Sequence, residues 1–322
     1  MKIQVIKQRT LWWTVSTAII VVGFLSMLIS WQQFGSPLRP SLDFVGGTRL
    51  QLELACAATD TCEGPIDPGT VRQILAEQGL EGSSIQVVGD QQQALSVRTS
   101  TLATDEREAL IQSLSDELGA FDPNLIQIDT VGPTLGRQIF TSGLLALGAS
   151  FLGIMVYISL RFQTDFAAFA ILALVHDVLV TMGVFSLLGL LFNVEVDSLF
   201  IVALLTIVGF SVNDTVVIYD RVRETIQANP THHINDIVDE AVNQTLTRSI
   251  NTTATTLLPL IGIFLFGGDT LKFFALALIV GFMAGVYSSV FVASSLLAFW
   301  RERTGFAYVS TLPEAEPADS SP

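Results

Sequence analysis

Residues 11–31 read LWWTVSTAIIVVGFLSMLISW, 21 positions without a charge. A helix crossing the hydrocarbon core of a bilayer needs roughly 20 apolar residues, so this stretch is long enough to span a membrane. Lys2, Lys7 and Arg9 precede it, as basic residues precede a secretory signal peptide. The run exceeds the ~7–15 residues of a signal core, however, and no small-x-small cleavage site follows Trp31, so an uncleaved anchor is expected. Two further uncharged runs cover 138–160 and 273–300. Three more apolar segments, 166–194, 196–219 and 246–268, are interrupted by a few polar groups. The expectation is a polytopic α-helical membrane protein of six spans. Composition agrees: of 322 residues half are apolar and 14% charged, with mean hydropathy +0.56, against about a quarter charged in soluble domains.

Lys and Arg near the span ends set orientation. Lys2, Lys7 and Arg9 precede span one, Arg161 separates spans two and three, Arg221 and Arg223 follow span four, and Arg301 and Arg303 follow span six. With six spans all four groups fall on one side, expected to be the cytoplasm. The opposite loops carry Glu195, Asp197 and Asp269, with Lys272 as an exception. The organisation expected is a cytoplasmic N-terminus at 1–10, a first span at 11–31, an extracytoplasmic domain at 32–134, spans two to six within 135–300, and a disordered cytoplasmic tail at 301–322. The tail reading rests on its Pro, Glu, Ala and Ser content. Ile234, Ile237, Val238, Ala241 and Val242 recur at helical spacing, which predicts a surface-lying amphipathic segment at 231–247.

Between residues 32 and 134 there are 15 acidic and five basic side chains, a balance of −10 out of the chain's −14. Such a surface repels phosphate and disfavours nucleic acid. Its pattern is strand, helix, strand, strand, helix, strand. Leu50, Leu52 and Leu54 alternate on a first strand. Asp67-Pro68 opens a helix that buries Val71, Ile74 and Leu75 and ends at Gly79. Short strands at 84–89 and 94–99 flank a turn at Gly89-Asp90. Thr104 is expected to cap a second helix facing inward through Leu110, Ile111, Leu114 and Leu118, and Leu125, Ile126 and Ile128 to begin the last strand. That order is the ferredoxin-like, split βαβ pattern, an α+β domain. It holds no nucleophile–base pair, metal cluster or phosphate loop, so enzyme chemistry is not expected. Cys56 and Cys62 lie in it and leave two readings: a disulfide, permitted on that side of the membrane, or two free thiols.

Ionisable groups inside spans are costly and mark function. Span three holds His176-Asp177, about 16 Å along the helix from its cytoplasmic start at 1.5 Å per residue. Span four holds Asn213-Asp214. Span five opens on Arg248 and continues through Asn251, Thr252, Thr253, Thr255 and Thr256. Asp214 and Arg248 fall at similar depth in consecutive antiparallel spans, so an ion pair is expected, and a carboxylate so placed suits a proton relay. Asp177 is a second relay candidate, with His176 alternatively its structural partner. His176, Asn213, Asn251, Thr252 and Thr255 are expected to pack helices or line a polar path. No second His or Cys lies near His176 to complete a metal site.

Five elements in order carry a family resemblance. Leu42-Asp43-Phe44-Val45-Gly46-Gly47 is similar to the Asp-Phe-x-Gly-Gly signature of the SecD/SecF family, and Val131-Gly132-Pro133-Thr134-Leu135-Gly136 to its Val-Gly-Pro element. His176-Asp177, the run Val208–Glu224, and Thr245-Leu246-Thr247-Arg248-Ser249 resemble the SecF side of that family. The family belongs to the resistance–nodulation–division superfamily, whose transporters use twelve spans, so six imply a separate SecD partner. The resemblance further implies association with the SecYEG channel and with translocating preprotein, in a bacterial inner membrane with its lipid. It implies protons as the coupling ion with no other cofactor, and Asp214 and Arg248 as proton-pathway residues. The segment around the two cysteines matches nothing in that pattern. Two other readings are a half-transporter for a small molecule, for which the outer domain is small, and a passive scaffold of the translocon.

Overall fold

The computed structural model describes residues 3–59, 61–62, 64–89 and 91–307. A 3-10 turn at Ile6–Gln8 leads into α1 (Arg9–Phe34), followed by a short α2 (Leu42–Val45), β1 (Gly47–Glu53) and α3 (Pro68–Glu77). Then come β2 (Ser84–Val88), β3 (Ala94–Thr99), α4 (Thr104–Leu118) and β4 (Gln127–Val131). Four long helices follow: α5 (Pro133–Arg161), α6 (Thr164–Phe192), α7 (Ser198–Ala228) and α8 (Ile234–Phe266). The last span is built from α9 (Gly268–Tyr287), a π-helical turn at Ser288–Ala293, and α10 (Ser294–Arg303). The chain divides into two units, Pro40–Ser142 and the remainder.

Among the described residues six helices are long and apolar enough to cross a membrane. Each overlaps one of the six segments expected from hydropathy, three of which (166–194, 196–219 and 246–268) run two residues past a helix end. α6 lies against α1, α7, α9 and α10 and is half buried along its apolar window, whereas α5 is almost wholly exposed. The α1–α6 crossing is set by glycines: a Cβ on Gly183 would stand 2.7 Å from Gly23 Cα, and the Ser26 hydroxyl donates to the carbonyls of Gly23 and Gly183. Backbones approach closely where small residues meet, which is how helices associate in lipid. At one end of the unit Tyr219 is fully buried against Phe162 and Phe166. Beside them Arg301 donates to Asp165 Oδ2 at 2.7 Å and to Gln163 Oε1 at 2.5 Å.

The expected separate amphipathic segment at 231–247 is instead the first half of α8, which runs unbroken for 33 residues. Its apolar face, Ile234, Ile237, Val238, Ala241 and Val242, is 0% exposed. Protein covers it, so the periodicity there records a helix–helix interface, not a lipid surface. The N-terminal turn is tied to the same helix: Asn243 brackets the Ile3 backbone at 2.7 and 2.8 Å, and Asp239 Oδ1 accepts from Ile6 N–H. Arg301 and Arg303, assigned to a disordered tail, belong to α10. Residues 308–322 of that tail, with Lys2 and Asp90, lie outside the described residues.

In the Pro40–Ser142 unit the four strands lie in the order β2-β3-β1-β4, every neighbouring pair antiparallel. α3 joins β1 to β2 and α4 joins β3 to β4, so each crossover skips one strand. Leu50, Leu52 and Leu54 point inward with Leu95 and Val97 and meet Val71, Ile74 and Leu75 of α3 and Leu110 and Leu114 of α4. Asp67 caps α3, accepting from Gly69 N–H, Thr70 N–H and the Thr70 hydroxyl. Those donors stabilise the anion and hold its carboxyl below the usual carboxylate value. Cys56 and Cys62 form a disulfide, packed against this core.

Two expectations at element ends need correction. Thr104 does not cap α4; Ala103 occupies that position and its N–H is taken by Glu106 Oε2 at 2.7 Å, while the Thr104 hydroxyl accepts from Arg107. β4 starts at Gln127, because Leu125 N–H donates to the Asp122 carbonyl in a turn. The Asp-Phe-x-Gly-Gly element is a tight joint. Gly46 has φ 77°, and a Cβ there would come within 2.8 Å of Pro133 Cα. Gly47 has φ 124° and would drive a Cβ into the Thr99 carbonyl. From the Val-Gly-Pro side a Cβ on Gly136 would stand 2.9 Å from the Phe44 carbonyl oxygen, and Phe44 meets Phe140 edge to face. The two motifs therefore pack on each other, and glycine is required for that approach.

Candidate functional site

Asp214 sits on α7 facing α8, 9% exposed. The Ser249 hydroxyl donates to its Oδ1 at 2.5 Å, and its Oδ2 is buried with no hydrogen-bond partner among the described residues. Arg248, the expected partner, is exposed and among the described residues makes no ion-pair contact with Asp214, although its positive charge lies near enough to act on that carboxyl. Helix geometry explains the correction: neighbouring residues point about 100° apart, so only one of Arg248 and Ser249 can face α7, and it is the serine. Asn213 is turned outward for the same reason.

Asp177 is 0% exposed at the meeting of α6, α7 and the last span. Its Oδ2 accepts from the Ser211 hydroxyl of α7 at 2.5 Å and the Ser288 hydroxyl at 2.9 Å, while Oδ1 lies 3.0 Å from His176 Nδ1. One turn further along α7 the hydroxyls of Thr215 and Ser289 pair at 2.7 Å. The His176 ring stacks on Tyr287 with centroids 6.1 Å apart, and its Nε2 has no partner. Tyr287 donates to the Trp12 carbonyl and receives a bond from Ser16, which links the cluster to α1. Asp177 and Asp214 thus belong to two separate hydrogen-bonded clusters, whose α7 members Ser211 and Asp214 stand one turn apart on that helix.

Of the residues expected to pack helices or line a path, His176 is buried in the Asp177 cluster. Asn251, Thr252 and Thr255 are exposed, and the Thr255 hydroxyl bonds back to the carbonyls of Asn251 and Thr252. With Arg248 they form an i, i+3, i+4, i+7 stripe on one face of α8. The donors that complete both sites, Ser211, Ser249 and Ser288, were given no role from the sequence, although Ser211 and Ser249 lie in the family-like runs Val208–Glu224 and Thr245–Ser249. Their signal was faint: a hydroxyl in a span commonly bonds its own helix, as Ser294 and Ser295 do here.

A family model described as "Protein export membrane protein SecD/SecF, C-terminal" matches residues 111–303, and one for the SecD/SecF GG motif matches residues 34–58. The chain belongs to the SecD/SecF family. Among SecD/SecF relatives, "Protein translocase subunit SecF" of Synechocystis sp. is 58% identical over 302 residues, covering 94% of this chain and 95% of the relative. The SecF subunit of Prochlorococcus marinus is 39% identical, with coverages of 92% and 94%. The crystal structure of SecDF, a translocon-associated membrane protein from Thermus thermophilus, superposes with TM-score 0.77 at 31% identity. It covers 94% of this chain, which spans 39% of the SecDF chain. A super-membrane-facing form of SecDF gives TM-score 0.62 at 30% identity. SecD/SecF membership and six spanning helices make the chain a multi-pass membrane protein of the Sec protein-transport pathway.

Proposed function

We propose that the chain works as the SecF half of a SecD–SecF complex in a bacterial inner membrane. In this reading it takes up protons at Asp214 to help preproteins through the SecYEG channel. The observation that carries the reading is the half-satisfied carboxylate: in a span, an ionised group with one buried oxygen unpartnered is costly. Proton binding at Oδ2 relieves that cost, and proton release restores it, so a cycle of the two states does work on the helices that carry Asp214 and Ser249. Arg248, one residue from Ser249, reaches the carboxylate if α8 rotates about its axis. Protonation and rotation then exclude one another, which couples proton passage to helix motion.

SecD supplies the missing neighbour. The exposed stripe Arg248, Asn251, Thr252 and Thr255 is too polar to face lipid, and the chain matches only part of SecDF. The basic clusters at the span ends support a reading in which both termini are cytoplasmic and the 32–134 segment lies outside. The strand order and the two skipped-strand crossovers support a ferredoxin-like fold for that outer domain. The role is that of a transport subunit, not an enzyme.

The test supplies native, Asp214→Asn and Arg248→Met chains to cells depleted of the endogenous protein. It follows release of an exported reporter with and without an uncoupler, at matched membrane levels. Uncoupler-sensitive export in the native chain and its loss in both variants is the expected result. Normal export in either variant refutes the relay and leaves a scaffold.

A further inference from the structure

The last span is not one continuous α-helix. Its six-residue π turn, Ser288–Ala293, is buried apart from Phe291, which is partly exposed. π turns are rare and recur at functional sites. Such a turn holds one residue more than the α-helix it interrupts. If it anneals to α geometry, everything beyond it rotates by about 100° and shifts by about 1.5 Å. Both flanks here are anchored. Upstream, Gly285 packs on Ser211, where a Cβ would stand 3.1 Å from the serine Cβ, and Gly281 packs on Ile207. Downstream, α10 docks on α6 through Arg301 with Asp165 and Gln163, and through Trp300 against Phe169.

The turn itself is held from α6 and α7. Ser288, its first residue, donates to Asp177 Oδ2, and Ser289 pairs with Thr215. The Asp177 carboxylate draws hydroxyls from two different helices onto one oxygen, an arrangement that requires an acceptor free to take both. Ser288 has an alternative within its own helix, the Gly285 carbonyl at 3.1 Å. Among the described residues the titratable groups around Asp177 are few: His176 on its own helix, Tyr287 at the end of α9, and Asp214 one turn from Ser211 on α7. α1 faces the cluster with Ser16 and the Trp12 carbonyl. Arg301 of α10 is engaged twelve residues away along α6.

We propose that Asp177 is a second protonation site of the membrane unit and that its output is the register of the last span. Ionised, Asp177 holds Ser288 and keeps the π turn. Protonated on Oδ2, it gives up one of the acceptor positions that Ser211 and Ser288 share, Ser288 returns to the Gly285 carbonyl, and the turn anneals to α geometry, carrying Trp300 and Arg301 off α6. The inference rests on the proton-coupled reading above only for the use made of the motion.

The experiment reads the register directly in the full chain in native membranes. Cysteines at Phe169→Cys and Trp300→Cys are joined by a short bis-maleimide, which the Cys56–Cys62 disulfide does not consume, and the linked peptide is quantified by mass spectrometry. Linkage is expected in the otherwise native chain and to fall on the order of tenfold in Asp177→Asn and in Ser288→Ala, the scale of one hydrogen bond to a charged group. Deleting Val290 makes the span continuously α-helical with α10 in its native register, so linkage then becomes insensitive to Asp177→Asn. If Asp177→Asn does not accumulate, Ser288→Ala decides alone. Unchanged linkage in Ser288→Ala, with the chain inserted normally, overturns the proposal. The register readout is independent of export: a register that responds while Asp214→Asn exports normally refutes the relay at Asp214 and leaves the switch standing.

Discussion

Replacing Ser249 by alanine removes the one hydroxyl that, among the described residues, reaches Asp214. The bond is 2.5 Å long, the carboxylate is 9% exposed, and its second oxygen already lacks a partner. A hydrogen bond to a charged group contributes about 1.5–3 kcal/mol. Since 1.36 kcal/mol corresponds to a factor of ten, the balance between the two states of Asp214 moves by roughly ten- to 150-fold. A cycle that must visit both states slows accordingly, so Ser249→Ala is expected to cut proton-driven export by about tenfold or more. Ser249→Thr keeps the hydroxyl and is expected to remain close to native. The assay is release of an exported reporter in depleted cells, with membrane levels matched by immunoblot. Export by Ser249→Ala at the native rate would falsify the argument, because Asp214 would then be unimportant or held by a group outside this chain.

Gly183→Ala puts a methyl 2.7 Å from Gly23 Cα and should destabilise the α1–α6 crossing by about 1–3 kcal/mol, seen as a lower midpoint of thermal unfolding in detergent; an unchanged midpoint refutes the close approach. The Asp67 cap, with its carboxyl held below the ordinary 3.8, contributes stability that is present above the unfolded value and lost as pH falls through the lower folded value. Hydrogen exchange at the start of α3 should therefore speed up only below about pH 4, and Asp67→Asn should abolish that acid dependence; a native-like acid dependence in that variant rejects the assignment. Mass spectrometry of non-reduced protein should find Cys56 joined to Cys62, and reduction should cost about 2 kcal/mol for so short a loop. Two free thiols in the oxidised protein would contradict the bond.

Much of the outer unit was readable because alternation and helical spacing are local. Leu50, Leu52 and Leu54 sit on the buried face they were assigned, and α3 opens at Asp67-Pro68. Errors fell at ends, where one hydrogen bond decides: Glu106 reaching back to Ala103 displaced Thr104 as the cap. In the membrane unit the buried carboxylates Asp177 and Asp214 were conspicuous because charge in a span is rare. Their donors were not, since serines are common in spans and usually bond their own backbone.

The chain by itself determined the number of spans, because bilayer thickness sets a length that uncharged runs either reach or do not. It also determined the succession of strands and helices along the outer unit and which acids lie in membrane segments. Tertiary structure alone decided what covers each face. Periodicity assigned Ile234, Ile237 and Val238 to one side of a helix, but whether lipid or protein lay there depended on where other helices passed. It likewise assigned Arg248 and Ser249 to adjacent positions, and only the rotation of α8 against α7 selected the serine for Asp214. The π turn and its hold on Asp177 arise from three segments more than thirty residues apart, and no local pattern encodes a hydrogen bond whose partners meet only after the helices pack.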